Sequence, residues 1–558
     1  MPYDQNRSGS MTDRFSRRTF IKGTTLLGLG GGLLGPGMEI PAGHAAEART
    51  LVMAVQGTPA SIDGDQASTA EGEMMMANVH GGDLFSYKVI KDPNSPNLTA
   101  DLKATGVQGV TGLLAQTWNQ SPDGTAVTVE LRHGMKSPYG NEVTANDYKW
   151  AWQRRWVLNG VGKFIGDVVG IASPDSIEVL GKYTVRIHLK GPSPVFYKAL
   201  AQNYYGGPFD STEVKNHLTA GDPWGKQWTR THAAGFGPYT VDQLVPGVQT
   251  VLTPNPNWTL TPIYFQRVIV KAVPESSARL ALLKAGEVDI AWALSERELH
   301  EVEGNSNLQV LRVRANKQLY MGLGVDKPPF NNKTLRQAMA WATPYKDIID
   351  KVYLGHARRM TSIVPDIYSG YKYTYHYDYD PQKAKQLMAK AGFANGFDVK
   401  LTYNAAEKEA EDTAILVKSA WGQIGARVSL QALPTAVWAE QKYGKHALQA
   451  FVENQQYPWT GDPGYSCWVY LGGGPSMSNN AVNYNNSAFN ALLEKSMRML
   501  DSPQRAANIN QLQEIIADEV PWVQIAWFDW TVAAKKGLGG FLWMPDNMIR
   551  FYYLRRLG

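Results

Sequence analysis

The sequence predicts a mixed α/β protein built from several packed units. From Ala338 onward, helical and strand patterns alternate, the order that gives helices layered on a sheet. In the first half, short alternating apolar runs are separated by turn residues. The chain has 558 residues, 44% of them hydrophobic, which is enough for about three or four domain cores.

Residues 51–56, Leu-Val-Met-Ala-Val-Gln, read as a buried strand that ends in a Gly57-Thr58-Pro59 turn. Residues 126–132 alternate as a half-buried strand after the hairpin-turn residues Ser121-Pro122-Asp123-Gly124. Thr144 and Asp147 stand at capping-box spacing and open a helix through Trp150, Trp152 and Trp156. Two strands flank Gly181-Lys182, and three more runs follow at Tyr239, Gln249 and Arg267. Pro274-Glu275 starts a helix that stops at Gly286. Asp380-Pro381 pairs an N-cap with proline at the first helical position. After that helix come a strand at Val399–Tyr403, a helix from Ala410 to Gly422 or Gly425, and a strand at Arg427.

The N-terminus reads as an export signal. Arg17 and Arg18 precede a glycine-diluted apolar run, Gly23 to Gly35, and then the small-residue stretch Gly43–Ala48. Paired arginines in that setting point to the twin-arginine route, with cleavage between Ala45 and Ala48. The apolar run is too short and too glycine-rich for a spanning helix. Residues 1–45 therefore stand outside the fold, and the protein is expected in the periplasm.

Charge is nearly balanced, with 55 basic and 50 acidic side chains and no basic stripe, which excludes a nucleic-acid partner. Cys467 is the only cysteine, so no internal disulfide is possible. Seventeen Trp and 27 Tyr suit a core and a pocket with amphipathic walls. Enzyme signatures fail in context. Gly30-x-Gly32-x-x-Gly35 lies in the leader with no strand before it, and His300-Glu301 lacks the second histidine of a zinc helix. Ser369-Gly370-Tyr371-Lys372 sits in turn-forming sequence. No cofactor, metal or catalytic residue is expected.

One stretch is recognisable. Leu114–Gly124, Val129–Lys136 and Thr144–Asp147 together resemble the signature of family 5 extracellular solute-binding proteins, the receptors of ABC importers. The resemblance continues through Gly235-Phe236-Gly237-Pro238-Tyr239, Pro274–Asp289, Lys327–Ala338 and Tyr379–Phe393, and covers roughly residues 51–556. It implies a two-lobed periplasmic binding protein fold of the cluster C type, with an extra domain in the first lobe. By analogy, split domain I takes residues 46–78, 233–316 and 527–558. Extra domain II takes 79–232, and domain III, the second lobe, takes 317–526. The chain would cross between lobes near Gln318–Met321 and Ile525–Trp527. The resemblance also implies a monomer that binds a small peptide or similar solute and serves a permease in the inner membrane. Relatives of this kind also take opines, sugars, metal chelates or haem. An exported hydrolase or folding helper on this scaffold is a further alternative, against which the missing nucleophile–base motif argues.

Within that resemblance Trp459-Thr460-Gly461-Asp462 stands where peptide binders place a Trp-x-x-Asp whose carboxylate meets the ligand ammonium. Asp462-Pro463-Gly464 is also good turn chemistry. Family members carry a few more residues before a following Asp-Pro, so Asp462 aligns with either acid. Trp459, with Tyr457 beside it, is expected in the cleft wall. Tyr403, Asn404 and Trp438 lie on second-lobe segments that approach the ligand. Gln56, Gly57 and Thr58 follow the first strand on the facing side.

Overall fold

The computed structural model describes residues 49–66, 69–80, 84–201, 207–473 and 479–557. The export signal lies outside the described residues. Strand β1 (Thr50–Val55) opens the described chain. A four-stranded sheet follows: β2 (Ala115–Gln120), β3 (Ala126–Leu131), β4 (Ile177–Val179) and β5 (Thr184–His188), in the order β2-β3-β5-β4. Alternation in β3 buries Val127, Val129 and Leu131 and leaves the residues between them half exposed.

Helix α1 (Ala145–Leu158) starts at the predicted capping box. Asp147 N donates to Thr144 Oγ1 at 3.4 Å, and Thr144 N donates to Asp147 Oδ2 at 2.9 Å. Helix α2 (Val161–Val169) follows. The α1 face carries Arg154 into a fully buried cluster. Its guanidinium holds Asp63 and Asp65, the latter at 2.9 Å. Arginine suits this position because its planar fork satisfies two carboxylates at once.

The chain then builds one large sheet. Strands β6 (Tyr239–Val245), β7 (Gln249–Pro254), β8 (Arg267–Ala272) and β9 (Ile290–Ala291) join β1, with helices α3 (Ser276–Lys284) and α4 (Glu296–Glu303) between and after the last two. Two long strands follow, β10 (Leu308–Leu323) and, at the far end of the chain, β15 (Trp522–Lys535). Between them come β11 (Ala357–Arg359), α5 (Pro381–Lys390), β12 (Phe397–Asn404), α6 (Lys408–Gln423), β13 (Ala426–Leu433), β14 (Ala450–Glu453), α7 (Pro463–Leu471) and α8 (Pro503–Glu519). The sheet order is β6-β7-β8-β1-β9-β15-β10-β14-β12-β13, with β11 on β15.

The antiparallel β10–β15 pair spans both halves of this sheet. At one end Gln309 faces Ala534, at the other Gly322 faces Trp522, and Gln318 lies opposite Trp527 near the middle. The ladder is interrupted between Val313 and Lys317. A Cβ at Gly322 would meet the Phe451 ring at 2.2 Å, so only glycine allows β14 to close on β10 there.

Residues Arg49–Gly558 form one compact unit. One core joins Phe85, Trp152 and Val185 to Tyr465, Cys467, Phe489 and Leu512. A second lies under β10, β12 and α6 and contains Met339, Leu401 and Trp421. Cys467 is fully buried, and burial pushes its thiol well above the usual range, which makes it a packed hydrophobe. Among the described residues no helix is long and apolar enough to cross a membrane.

Candidate ligand-binding site

Strand directions locate the site. β1 runs parallel to β8 and β9, and these strands end toward the middle of β10. β12 runs parallel to β13 and β14 on the other half. β14 pairs with β10 from Leu323 back to Tyr320 and then also points at that middle. The carboxyl ends of the two parallel groups therefore face each other across Ala315–Gln318. In open α/β sheets ligands bind outside such ends.

The first half brings Gln56, Gly57 and Thr58 to this edge. Gln56 is exposed and Gly57 and Thr58 are half-buried. Thr58 Oγ1 accepts from Gly247 N at 2.7 Å, so this hydroxyl ties two turns together. From the second half come Asn404, Glu407 and the segment Asn454–Asp462. Asn404 Oδ1 accepts from Ala406 N and Thr435 Oγ1. It thus shapes the turn into α6. The Tyr403 hydroxyl lies 3.5 Å from Glu411 on α6. Trp438 is buried edge-on against Phe451, with Lys442 Nζ 5.4 Å from its ring centre.

The segment Gln456–Asp462 is held from three sides. Gln318 N donates to Gln456 O at 3.0 Å, and Asn316 Nδ2 donates to Pro458 O at 2.8 Å and Pro545 O at 3.0 Å. Lys198 Nζ donates to Gly461 O at 2.8 Å, while Gly461 N donates to the Tyr87 hydroxyl at 3.0 Å. Trp459 is half-buried and meets Phe164 of α2 edge-on, with ring centres 5.8 Å apart. Tyr457 is half-buried, and its hydroxyl donates to Asp546 O.

Asp462 has a different setting from the one its motif suggested. It is the N-cap of α7, and its Oδ1 accepts from Tyr465 N at 2.9 Å. Both oxygens also accept from Arg505 Nη2 of α8, at 2.8 and 2.9 Å. Burial alone would raise this carboxyl, but Arg505, its hydrogen bonds and the nearby Lys198 hold it below the ordinary range. Both side chains are 3% exposed. The acid is committed to the helix start and to a buried ion pair.

Two charged residues at the strand ends were not singled out from sequence. Glu407, in the turn after β12, is half-buried and accepts from Gln455 Nε2 at 2.6 Å. Burial, with Glu453 and Glu409 nearby, pushes it up to about 7 against the pull of Lys317. Lys317 lies on β10 opposite Phe528, with Nζ 4.8 Å from the ring centre. It is walled in by protein, which lowers its pKa, yet it keeps some solvent contact. Only its place in the polar run Arg314-Ala-Asn-Lys-Gln318, ahead of the apolar end of the strand, could have drawn attention to it.

Two surface hollows contain none of these strand-end residues. One is lined by Trp341, Tyr373 and Lys383, the other by Pro192, Trp468 and Arg498. Among the described residues no group of His, Cys, Asp or Glu is placed to hold a metal.

Two α/β halves with opposed strand ends, joined by a long strand pair, define the two-lobed periplasmic binding protein class. Residues 109–478 match the family of bacterial extracellular solute-binding proteins, family 5 Middle, and the chain belongs to that family. It is a solute-binding protein of the ABC importer type. It is 27% identical over 466 residues to heme-binding protein A of Haemophilus influenzae, covering 79% of this chain and 83% of that one. It is 26% identical over 441 residues to the probable D,D-dipeptide-binding periplasmic protein DdpA of Escherichia coli K12, with the same coverage. The solved periplasmic binding protein DppA of Helicobacter pylori, in complex with the peptide STSA, superposes with a TM-score of 0.77 at 23% identity. That match covers 92% of this chain and all of that one, and it shows the fold. These relatives are named as binding proteins, not as enzymes.

Proposed function

We infer that this chain captures short peptides between its lobes in the periplasm and delivers them to an ABC permease in the inner membrane. The observation that carries this reading is the pair of opposite charges at the strand ends, Glu407 and Lys317. Among the described residues they form no ion pair with each other. A zwitterionic peptide presents one ammonium and one carboxylate, and each needs a counter-charge once it leaves water. Trp459 and Tyr457 supply wall, and the segment Gln56–Thr58 after β1 supplies backbone for main-chain pairing. Closure pivots about β10–β15, where the ladder is interrupted. In this reading Glu407 meets the ligand ammonium, in place of Asp462.

The test is to purify the protein from its host, denature it and identify the released solute by mass spectrometry. A peptide is expected. An opine, sugar, chelate or haem would replace the reading. Binding should also depend on pH. Because burial raises the folded pKa of Glu407 to about 7, the carboxylate forms only as pH passes through that value. Calorimetry should show peptide affinity rising between pH 6 and 8 in wild type and staying flat in Glu407→Gln. The same raised pKa has a stability consequence. The folded state binds the extra proton above the unfolded value of about 4.5, so this group's contribution falls as pH rises from 4.5 to 7. A wild-type affinity that does not change with pH would remove Glu407 from the site.

Export by the twin-arginine route belongs to the same reading, on the motif at Arg17 and Arg18. Arg17→Lys with Arg18→Lys is expected to retain the precursor in the cytoplasm while leaving ligand affinity unchanged. Normal periplasmic yield of the double variant, by fractionation and immunoblot, would exclude that route.

A further inference from the structure

We propose that Lys317 is the anion receptor of the cleft, so that the solute carries a free carboxylate which docks on this ammonium. The inference rests on the strand ends being the solute site. It deepens that reading by making a free carboxylate a requirement of the solute, enforced by this one side chain.

The geometry supports it in three ways. First, Lys317 sits at the middle of β10, just after the ladder interruption that follows Val313, where both sets of strand ends converge. Second, each surrounding carboxylate has a partner other than Lys317. Glu407 accepts from Gln455 Nε2, Glu409 accepts from Glu296 N, and Glu296 pairs with Arg312 at 3.1 Å. These acids shape the field around the lysine, yet among the described residues none lies within the 4.0 Å of an ion pair with it. Third, Nζ itself lies 4.8 Å from the centre of the Phe528 ring, a cation–π contact that sets the direction of the head and leaves its N–H donors free of side-chain acceptors among the described residues. The nearby acids act on this partly desolvated ammonium only from beyond ion-pair distance, so a ligand group in direct contact with it would offset part of its lost hydration. A carboxylate is the group that restores the balance with charge-assisted hydrogen bonds.

The cation cluster next to it is not equivalent. Arg358 is held by Asp529 and Asp366, and Arg312 by Glu296 and Glu303. Arg314, inside the same interruption of β10, is exposed to solvent, whereas Lys317 is half-buried.

Wild type, Lys317→Met and Lys317→Arg are freed of solute by unfolding and refolding. They are then titrated calorimetrically with dialanine and trialanine and with the C-terminal amide of each. Wild type should bind the acids at least about tenfold more tightly than the amides, the scale of one charged hydrogen bond. Lys317→Met should bind acid and amide alike, with the acid weakened on the order of tenfold, and Lys317→Arg should keep most of the preference. Equal melting temperatures without ligand establish that the variants fold. If Lys317→Met melts early, Lys317→Gln replaces it. Undiminished binding of the acids by the methionine or glutamine variant overturns the proposal, as does a wild type indifferent to amidation. If wild type binds none of the four probes, the peptide reading fails on its own and the co-purified solute decides. An acidic solute lost from Lys317→Met supports the proposal. A solute without an acidic group, or one retained equally by both proteins, overturns it.

Discussion

Replacing Asp462 with alanine is expected to cost about 3–5 kcal/mol of stability, the range for breaking a buried ion pair from one side. The Arg505 guanidinium would lose both bonds to Asp462 and keep Asp501 at 2.7 Å and the Ser496 carbonyl at 3.1 Å. Asp501 is 30% exposed and makes a weaker partner. The same substitution removes the cap on Tyr465 N, worth about 1 kcal/mol by itself. Asp462→Asn keeps the cap and should lose less. Denaturant midpoints of the three proteins measure the difference. Calorimetry on the folded fraction should find ligand affinity little changed. A collapse of affinity with stability intact would return Asp462 to the ligand.

Lys442→Met is expected to have a similar cost in stability, about 3–5 kcal/mol, and to weaken binding as well. Lys442 lies in the π-helical turn Glu440–Gly444, is fully buried, and pairs with Glu453 at the end of β14. Burial would lower this lysine, but Glu453 and Tyr443 hold it above its ordinary value. Glu453 also accepts from Gln455 N at 2.6 Å, and Gln455 in turn holds Glu407. Without Lys442 the glutamate is a buried charge with no cation, and the support under Glu407 loosens. The double variant Lys442→Met, Glu453→Leu should regain much of the stability, since apolar pairs often replace buried ion pairs without loss. It should not regain ligand affinity. Full recovery of both would mean that the pair does not position the site.

Much of the fold was legible because its signals are local. The Thr144–Asp147 box, the Asp380-Pro381 start and the alternation at Ala126–Leu131 each complete their hydrogen bonds or burial within a few residues. The parallel strands β12 and β13, with α6 between them, followed from periodicity and glycine stops. The site was less legible. Asp462-Pro463-Gly464 announced a turn as clearly as a ligand contact. What separates the readings is Arg505, 43 residues further along the chain. Tyr403, Asn404 and Thr58 occupy the strand ends expected of them, but their bonds go to α6, to a turn and to Gly247.

The sequence by itself determined the α/β class, the order of elements and the family. Periodicity, caps and turn residues act within one or two turns of chain, and family blocks are strings of residues. The tertiary structure decided which charges are paired. A carboxylate becomes structural or available according to which side chain packing brings within 3 Å. That choice joined Arg505 to Asp462 and Glu453 to Lys442, and among the described residues it gave Lys317, at the meeting point of the strand ends, no ion-pair partner.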